Sequence, residues 1–308
     1  MKNIIVILAA TFFICTYPVR SHAYESHLSY WFGQFEKILY LPSAEYCYRL
    51  GVNYLTGKGV QKNDRLALIF FTQSASGGFA PAQFVLGRFY ALGVIVPQDY
   101  NKAIEWFNYS AGQGNAEAQF YLGNLYQNGE GIEQNYDKAF DYFHKAALQG
   151  NLMAQSALGI MYLEGKGCKQ DFSKAFQWTR KSAEQGNSFA QYILGSLYDT
   201  GKGTDLDYFK AKELYQKSAD QGYEGALYKL GTMYEAGHGV LQDFQTALFY
   251  YHKAADQENT DAQLRLGEIY HEGKLVPQDE ATAKEYFKQS CLNRSQKGCD
   301  KYRLLNTK

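Results

Sequence analysis

The feature that most restricts this chain is a Leu-Gly pair that returns every 36 residues. It stands at Leu50-Gly51, Leu86-Gly87, Leu122-Gly123, Leu158-Gly159, Leu194-Gly195, Leu230-Gly231 and Leu266-Gly267. A tyrosine sits three places after each of these glycines, from Tyr54 to Tyr270, and a further glycine three places beyond it, from Gly57 to Gly273. Seven copies in one register, without an insertion or deletion, mean that one supersecondary unit is repeated along the chain.

Each copy reads as two helices. In the fourth, Leu152 to Leu163 carries apolar residues at helical spacing, and Gly165-Lys166-Gly167 ends the run. A glycine just past a helix end supplies the left-handed conformation cheaply. The start of the second helix is Asn or Asp in every copy: Asn63, Asp99, Asn135, Asp171, Asp207, Asp243 and Asp279. Such side chains accept from the free N–H groups of a first helical turn. Alanine follows four residues later, from Ala67 to Ala283, and then paired aromatics such as Phe70-Phe71, Trp106-Phe107 and Tyr142-Phe143. Small residues such as Gly159 and Ala175 are expected to let the two backbones approach, with Leu158, Tyr162 and the aromatic pair filling the space around them. One pair cannot bury these faces alone, so pairs must stack. The expected fold is all-α, a right-handed α/α superhelical solenoid of seven 36-residue helix-turn-helix repeats with helical caps. Aromatic residues make up 16% of the chain, and the repeat assigns them to packing rather than to a carbohydrate or base-stacking platform.

The pattern Ala-x-Gln-x-x-Leu-Gly-x-x-Tyr-x-x-Gly-x-Gly-Val-x-Gln-Asp-x-x-Lys-Ala resembles the Sel-1-like repeat. Residues 116–139 and 152–175 follow it closely, and the likeness extends over residues 44–295. The period of 36 and the Gly-x-Gly loop distinguish it from the tetratricopeptide repeat. Copies two and seven depart, with Ile95 and Leu275 at the second loop glycine, each followed by Val-Pro. Those loops are expected to be stiffer. The resemblance implies an adaptor or scaffold, and it names neither an enzyme nor a partner.

The ends differ from the repeats. Residues 1–23 read as a signal peptide: Lys2, an apolar run from Ile4 to Cys15, and Ser21-His22-Ala23 as the cleavage motif. That run is too short for a permanent membrane anchor. The expectation is export from a bacterium, to the periplasm or beyond, without stable membrane insertion. Residues 24–43, with Trp31, Phe35 and Leu39 at helical spacing, read as an N-terminal capping helix, and residues 296–308 as a C-terminal capping segment. Cys291 and Cys299 fall at the end of one helix and the start of the next, near enough to pair. Their spacing also resembles the disulfides of cysteine-rich Sel-1-like proteins secreted by some bacteria. A bridge there would be worth on the order of 2–3 kcal/mol by chain entropy; the other reading is two small buried residues. Cys47 lacks a cysteine at its partner position, Leu39, and Cys168 is expected to be unpaired.

The sequence offers no catalytic constellation. His-Glu-x-x-His and Gly-x-Ser-x-Gly are absent, and the six histidines show no metal-ligand spacing. The expectation is a non-enzyme without a cofactor. The cysteine-rich relatives imply one rival, a β-lactam-binding or weakly β-lactam-hydrolysing protein. The chain lacks the Ser-x-x-Lys and Lys-Thr-Gly that would favour it. Formal net charge is zero, with 31 basic and 31 acidic residues, which gives no electrostatic reason to propose nucleic acid. What remains is a stripe on the first helices, at positions six and two before the glycine and one and five after it. It avoids the fixed Leu, Gly and Tyr and would line a concave face. Arg49, Arg88, Tyr121, Asn124, Ile160, Phe189, Ile193, Lys229 and Arg265 are its candidate anchors for a protein or peptide partner. A merely solvated or half-buried face is the other reading.

Overall fold

A computed structural model describes residues 43–306 of the chain. The leader expected over residues 1–23 and the capping helix expected around Trp31, Phe35 and Leu39 lie outside them. The chain divides into two compact units, residues 1–79 and 80–308, and the division falls on a repeat boundary. The first unit holds α1 (Ala44–Thr56) and α2 (Asp64–Ser76). The second holds α3 (Ala80–Leu92), α4 (Tyr100–Gly112), α5 (Ala116–Asn128), α6 (Tyr136–Leu148), α7 (Leu152–Glu164) and α8 (Phe172–Glu184). It continues with α9 (Ser188–Thr200), α10 (Tyr208–Asp220), α11 (Glu224–Ala236), α12 (Phe244–Ala255), α13 (Thr260–Glu272), α14 (Glu280–Leu292) and α15 (Gln296–Asn306). Among the described residues every regular element is a helix, and within each unit each helix packs on the next in sequence. The fold class is the expected one, an all-α solenoid of helix pairs.

The local chemistry of each pair follows the repeat. All seven predicted caps hold: Asn63, Asp99, Asn135, Asp171, Asp207, Asp243 and Asp279 each accept from backbone N–H groups of their helix's first turn. The backbone N–H of every one of these residues also donates to the carbonyl of the fixed tyrosine of its repeat, at 2.8–3.0 Å. The connection between the two helices is thereby closed at both ends. The first helices carry caps of their own that the sequence reading did not single out, namely Ser43, Asn115, Asn151, Asn187 and Asn259.

Between the helices of a pair, the structure refines the expected backbone approach. Each Leu-Gly glycine faces the position 20 residues later on the second helix, and in six repeats that position is a ring: Phe71, Phe107, Phe143, Tyr215, Tyr251 or Phe287. A methyl group at Gly87 or Gly123 would fall 2.5 Å from a ring carbon of Phe107 or Phe143. These rings are 0–1% exposed, and each contributes about 1.5–3 kcal/mol by burial. So the glycine seats an aromatic ring. Backbone also comes near in the fourth and fifth repeats: a methyl carbon would fall 3.4 Å from the Thr179 nitrogen at Gly159 and 3.3 Å from the Ala211 carbonyl oxygen at Gly195. The fixed tyrosine stacks on the other ring of the pair: Tyr54 on Phe70, Tyr126 on Tyr142, Tyr234 on Tyr250 and Tyr270 on Tyr286, centroids 5.6–6.0 Å apart.

A glutamine joins successive repeats. Gln119, Gln155, Gln191 and Gln263 are buried, and each donates to the carbonyl eight residues earlier, of Ala111, Ala147, Ala183 and Ala255. Cys291 and Cys299 occupy this alanine and this glutamine position after the seventh repeat. They form a disulfide with Cα atoms 4.4 Å apart. The covalent bond thus stands where earlier repeats place a hydrogen bond. Cys168 is half-buried in its loop, its thiol directed at the Met161 carbonyl, and Cys47 is fully buried in α1. Ile95 holds a positive φ of 70° where most repeats carry the second loop glycine.

Candidate protein-interaction surface

The stripe residues of the first helices lie on the side of each hairpin away from the ring-seating glycines, and most are half-buried. In residues 80–308 they form a continuous surface, because side chains of consecutive first helices touch. Asn151 donates to Glu117 at 2.8 Å, Asn187 approaches the Met153 sulfur at 3.2 Å, and Phe189 meets the Tyr223 ring at 5.6 Å. In the first unit, Arg49 is exposed and paired with Glu45 one turn away, 3.4 Å.

Each predicted anchor has a definite setting. Arg88 is exposed, its guanidinium 5.9 Å from both the Phe84 and Tyr121 ring centroids, within the range of cation–π attraction. Tyr121 is half-buried and stacked on core residue Phe107, centroids 5.4 Å apart. Asn124 and Ile193 are half-buried on α5 and α9. Ile160 lines a cleft between repeats three and four, together with Asn128, Tyr136, Glu164 and Lys166. Phe189 belongs to an aromatic group with Tyr192 and Tyr223. The structure thus brings Arg88 to Tyr121 and leaves the other predicted anchors in separate stretches of the stripe.

Lys229 and Arg265 are engaged within the chain, by residues the sequence reading missed. Lys229 pairs with Asp199 at 4.0 Å, and Arg265 with Glu235 and Glu268. The cause lies in the core. Repeats five and six carry Tyr215 and Tyr251 where the others have Phe or Thr, and each buried hydroxyl needs an acceptor. Tyr215 donates to Asp199 at 3.4 Å and Tyr251 to Glu235 at 2.5 Å. The carboxylate then faces the cation of the following repeat. Burial pushes the Glu235 carboxyl up, but Arg265 and the Tyr251 hydroxyl outweigh it and hold its pKa below the ordinary value. Both phenols are driven far above theirs, first by burial. The signal was present in the sequence: Tyr215 with Asp199 and Lys229, and Tyr251 with Glu235 and Arg265, repeat at the same offsets.

No group of histidine, cysteine or carboxylate side chains among the described residues could hold a metal ion, and no helix among them is long and apolar enough to cross a membrane.

The Sel1 repeat profile matches residues 44–79, 80–115, 116–151, 152–187, 188–223, 225–259 and 260–295. Among solved structures, the chain is similar to c5321, a protective antigen of uropathogenic Escherichia coli strains that displays an SLR fold. The two are 33% identical with a TM-score of 0.72, over 86% of this chain and 57% of the antigen. The chain therefore spans little more than half the length of that relative. It is also similar to a Sel1 repeat protein of Oxalobacter formigenes, 32% identical with a TM-score of 0.67, over 85% of this chain and 76% of the other. No curated protein matches the chain. With seven matched repeats covering nearly all the described residues, the chain belongs to the Sel1 repeat family.

Proposed function

We propose that the chain is an exported adaptor that holds an extended peptide or a partner helix along its first-helix stripe. Sel1 repeat proteins are scaffolds that typically serve protein–protein interaction. The observation that carries the reading is the set of stripe side chains from exposed Arg88 through half-buried Tyr121, Asn124 and Ile160 to half-buried Phe189 and Ile193. It offers apolar and aromatic anchors beside polar ones, the mixture found at the centres of protein interfaces. Export, to the periplasm or outside the cell, is supported by the leader-like residues 1–23 and by a disulfide, which persists in oxidising compartments.

The test leaves the core rings in place. Arg88→Ala, Asn124→Lys and Ile160→Lys combined should abolish partner capture from an envelope fraction, read by mass spectrometry. The thermal midpoint should stay within a few degrees of the unsubstituted chain. Capture that persists in the triple variant rejects the stripe. Tyr121 is left unchanged because it stacks on Phe107, so its removal would weaken the fold as well as the surface.

A further inference from the structure

The cleft between repeats three and four belongs to the stripe, because Asn128, Ile160 and Glu164 are stripe residues and line it. Its volume is about 310 Å³, at the lower end of the range of ligand pockets. Ile160 and the buried Met161 give it an apolar lining, and Gln127, Asn128, Gln134 and Tyr136 a polar one. A second cleft, of about 220 Å³, lies at the same place between repeats six and seven. Gln127, Met161, Glu164 and Lys166 of the first correspond to Glu235, Ile269, Glu272 and Lys274 of the second.

Both clefts share a Glu-Gly-Lys turn. Gly165 and Gly273 end their helices in the left-handed conformation, and the lysine that follows turns back on the glutamate before. Lys166 meets Glu164 at 2.8 Å and Lys274 meets Glu272 at 3.2 Å. The charges at each rim are therefore paired within the chain. The interiors differ. In the second cleft Arg265 pairs with Glu235, so both groups are already engaged. In the first, Ala157 and Gln127 stand at these positions. No arginine enters, and the Gln127 carboxamide forms no hydrogen bond among the described residues. Asn128 and Gln134 use their amide nitrogens, towards Glu130 and towards the Gln127 carbonyl and the Tyr136 hydroxyl. Their own carbonyl oxygens stay open. Gln127 thus presents a donor and an acceptor side by side, the complement of a peptide group. A charged ligand would leave water and meet only charges that are already paired.

We propose that the cleft between repeats three and four receives an uncharged aliphatic side chain, leucine in size, from a peptide partner, with the adjoining peptide group paired to the Gln127 carboxamide. This rests on the adaptor reading and adds the chemistry of the segment bound. The side chain packs on Ile160 and Met161, and the open oxygens of Asn128 and Gln134 accept from main-chain N–H groups of the peptide.

The probe is acetyl-Gly-Leu-Gly-amide, titrated into the intact protein labelled at its isoleucine and methionine methyl groups and followed by NMR. The Ile160 and Met161 methyl signals should shift saturably, and the Ile269 signal of the second cleft should not. Peptides with glutamate or lysine in place of leucine should bind at least fivefold more weakly. Gln127→Ala should weaken binding about threefold. Gln127→Glu with Ala157→Arg gives repeat four the pair of repeat seven, and should weaken binding at least tenfold with the thermal midpoint within a few degrees. Should that variant fail to fold, the peptide series and Gln127→Ala decide alone. Equal binding of the three peptides, or full binding by Gln127→Ala, overturns the proposal. If the leucine peptide leaves Ile160 and Met161 unmoved while the Arg88, Asn124 and Ile160 triple variant loses partner capture, the cleft is rejected and the stripe stands. If the peptide binds as expected but the triple variant still captures its partner, the adaptor reading fails and the cleft stands.

Discussion

Tyr251 shows how a single hydroxyl reshapes a surface. Its ring fills the same site against Gly231 as Phe107 fills against Gly87. Yet the added oxygen requires Glu235, and Glu235 in turn fixes Arg265 of the next repeat. All three groups are largely withdrawn from water, so removing one strands the others. Glu235→Ala should cost about 2–4 kcal/mol in chemical denaturation, and adding Tyr251→Phe should recover part of it, because the orphaned hydroxyl goes too. Additive losses in this double-mutant cycle would show that the groups are independent. Thr179 is the opposite case. It is the buried hydroxyl that has no hydrogen-bond partner among the described residues, and it stands where the other repeats place a ring. Ser156, at the neighbouring position held elsewhere by Phe84, Phe120 or Tyr192, reaches Ser182 at 3.0 Å instead. The 36-residue period predicts a filled site at 179; only the structure shows the hydroxyl left over.

At the level of the helix, stability is set largely at the ends. Four second helices begin with an aspartate whose pKa is lowered. For Asp99 and Asp207 the chief cause is the N–H of the third helical residue; for Asp243 and Asp279 it is the hydroxyl of Thr246 and Thr282. A carboxyl whose folded pKa is depressed adds stability above its unfolded pKa, near 3.8. That contribution is lost as pH falls through the lower folded value. Changing Asp99, Asp207, Asp243 and Asp279 together to Asn, the residue that already caps α2 and α6, should leave neutral stability nearly unchanged. The fall in stability below pH about 4 should become shallower, as followed by circular dichroism at 222 nm in an acid titration. An unchanged acid limb would mean that the caps do not carry the linkage. The caps of the second helices were legible because Asn or Asp recurs there in all seven copies. Those of the first helices were harder to see, since Ser43, Phe79 and Tyr223 interrupt the series of asparagines.

Over residues 80–308 the same few contacts recur from pair to pair, so stability accumulates through neighbouring interfaces. After the seventh pair comes the single helix α15, and there the Gln-to-carbonyl bond is replaced by the Cys291–Cys299 disulfide. The chain-entropy value for so short a loop is about 2–3 kcal/mol. Cys291→Ala with Cys299→Ala should lower protection of the α14 and α15 amides in native-state hydrogen exchange, leaving α5 to α10 unaffected. Cys291→Ala with Cys299→Gln should return about 1 kcal/mol by restoring the hydrogen bond of the other repeats. Uniform loss of protection across both regions would show that the bridge acts globally.

The sequence alone determined the helix pair, its caps, its loop and the sites of its buried rings. Each of these depends on side-chain type at a fixed spacing, and seven copies repeat the spacing. The disulfide was legible for the same reason, as a departure from alanine and glutamine at fixed positions. Tertiary structure decided which stripe residues stay available to a partner. Lys229 and Arg265 are cations like Arg88, but the core tyrosines of their repeats bind them through Asp199 and Glu235.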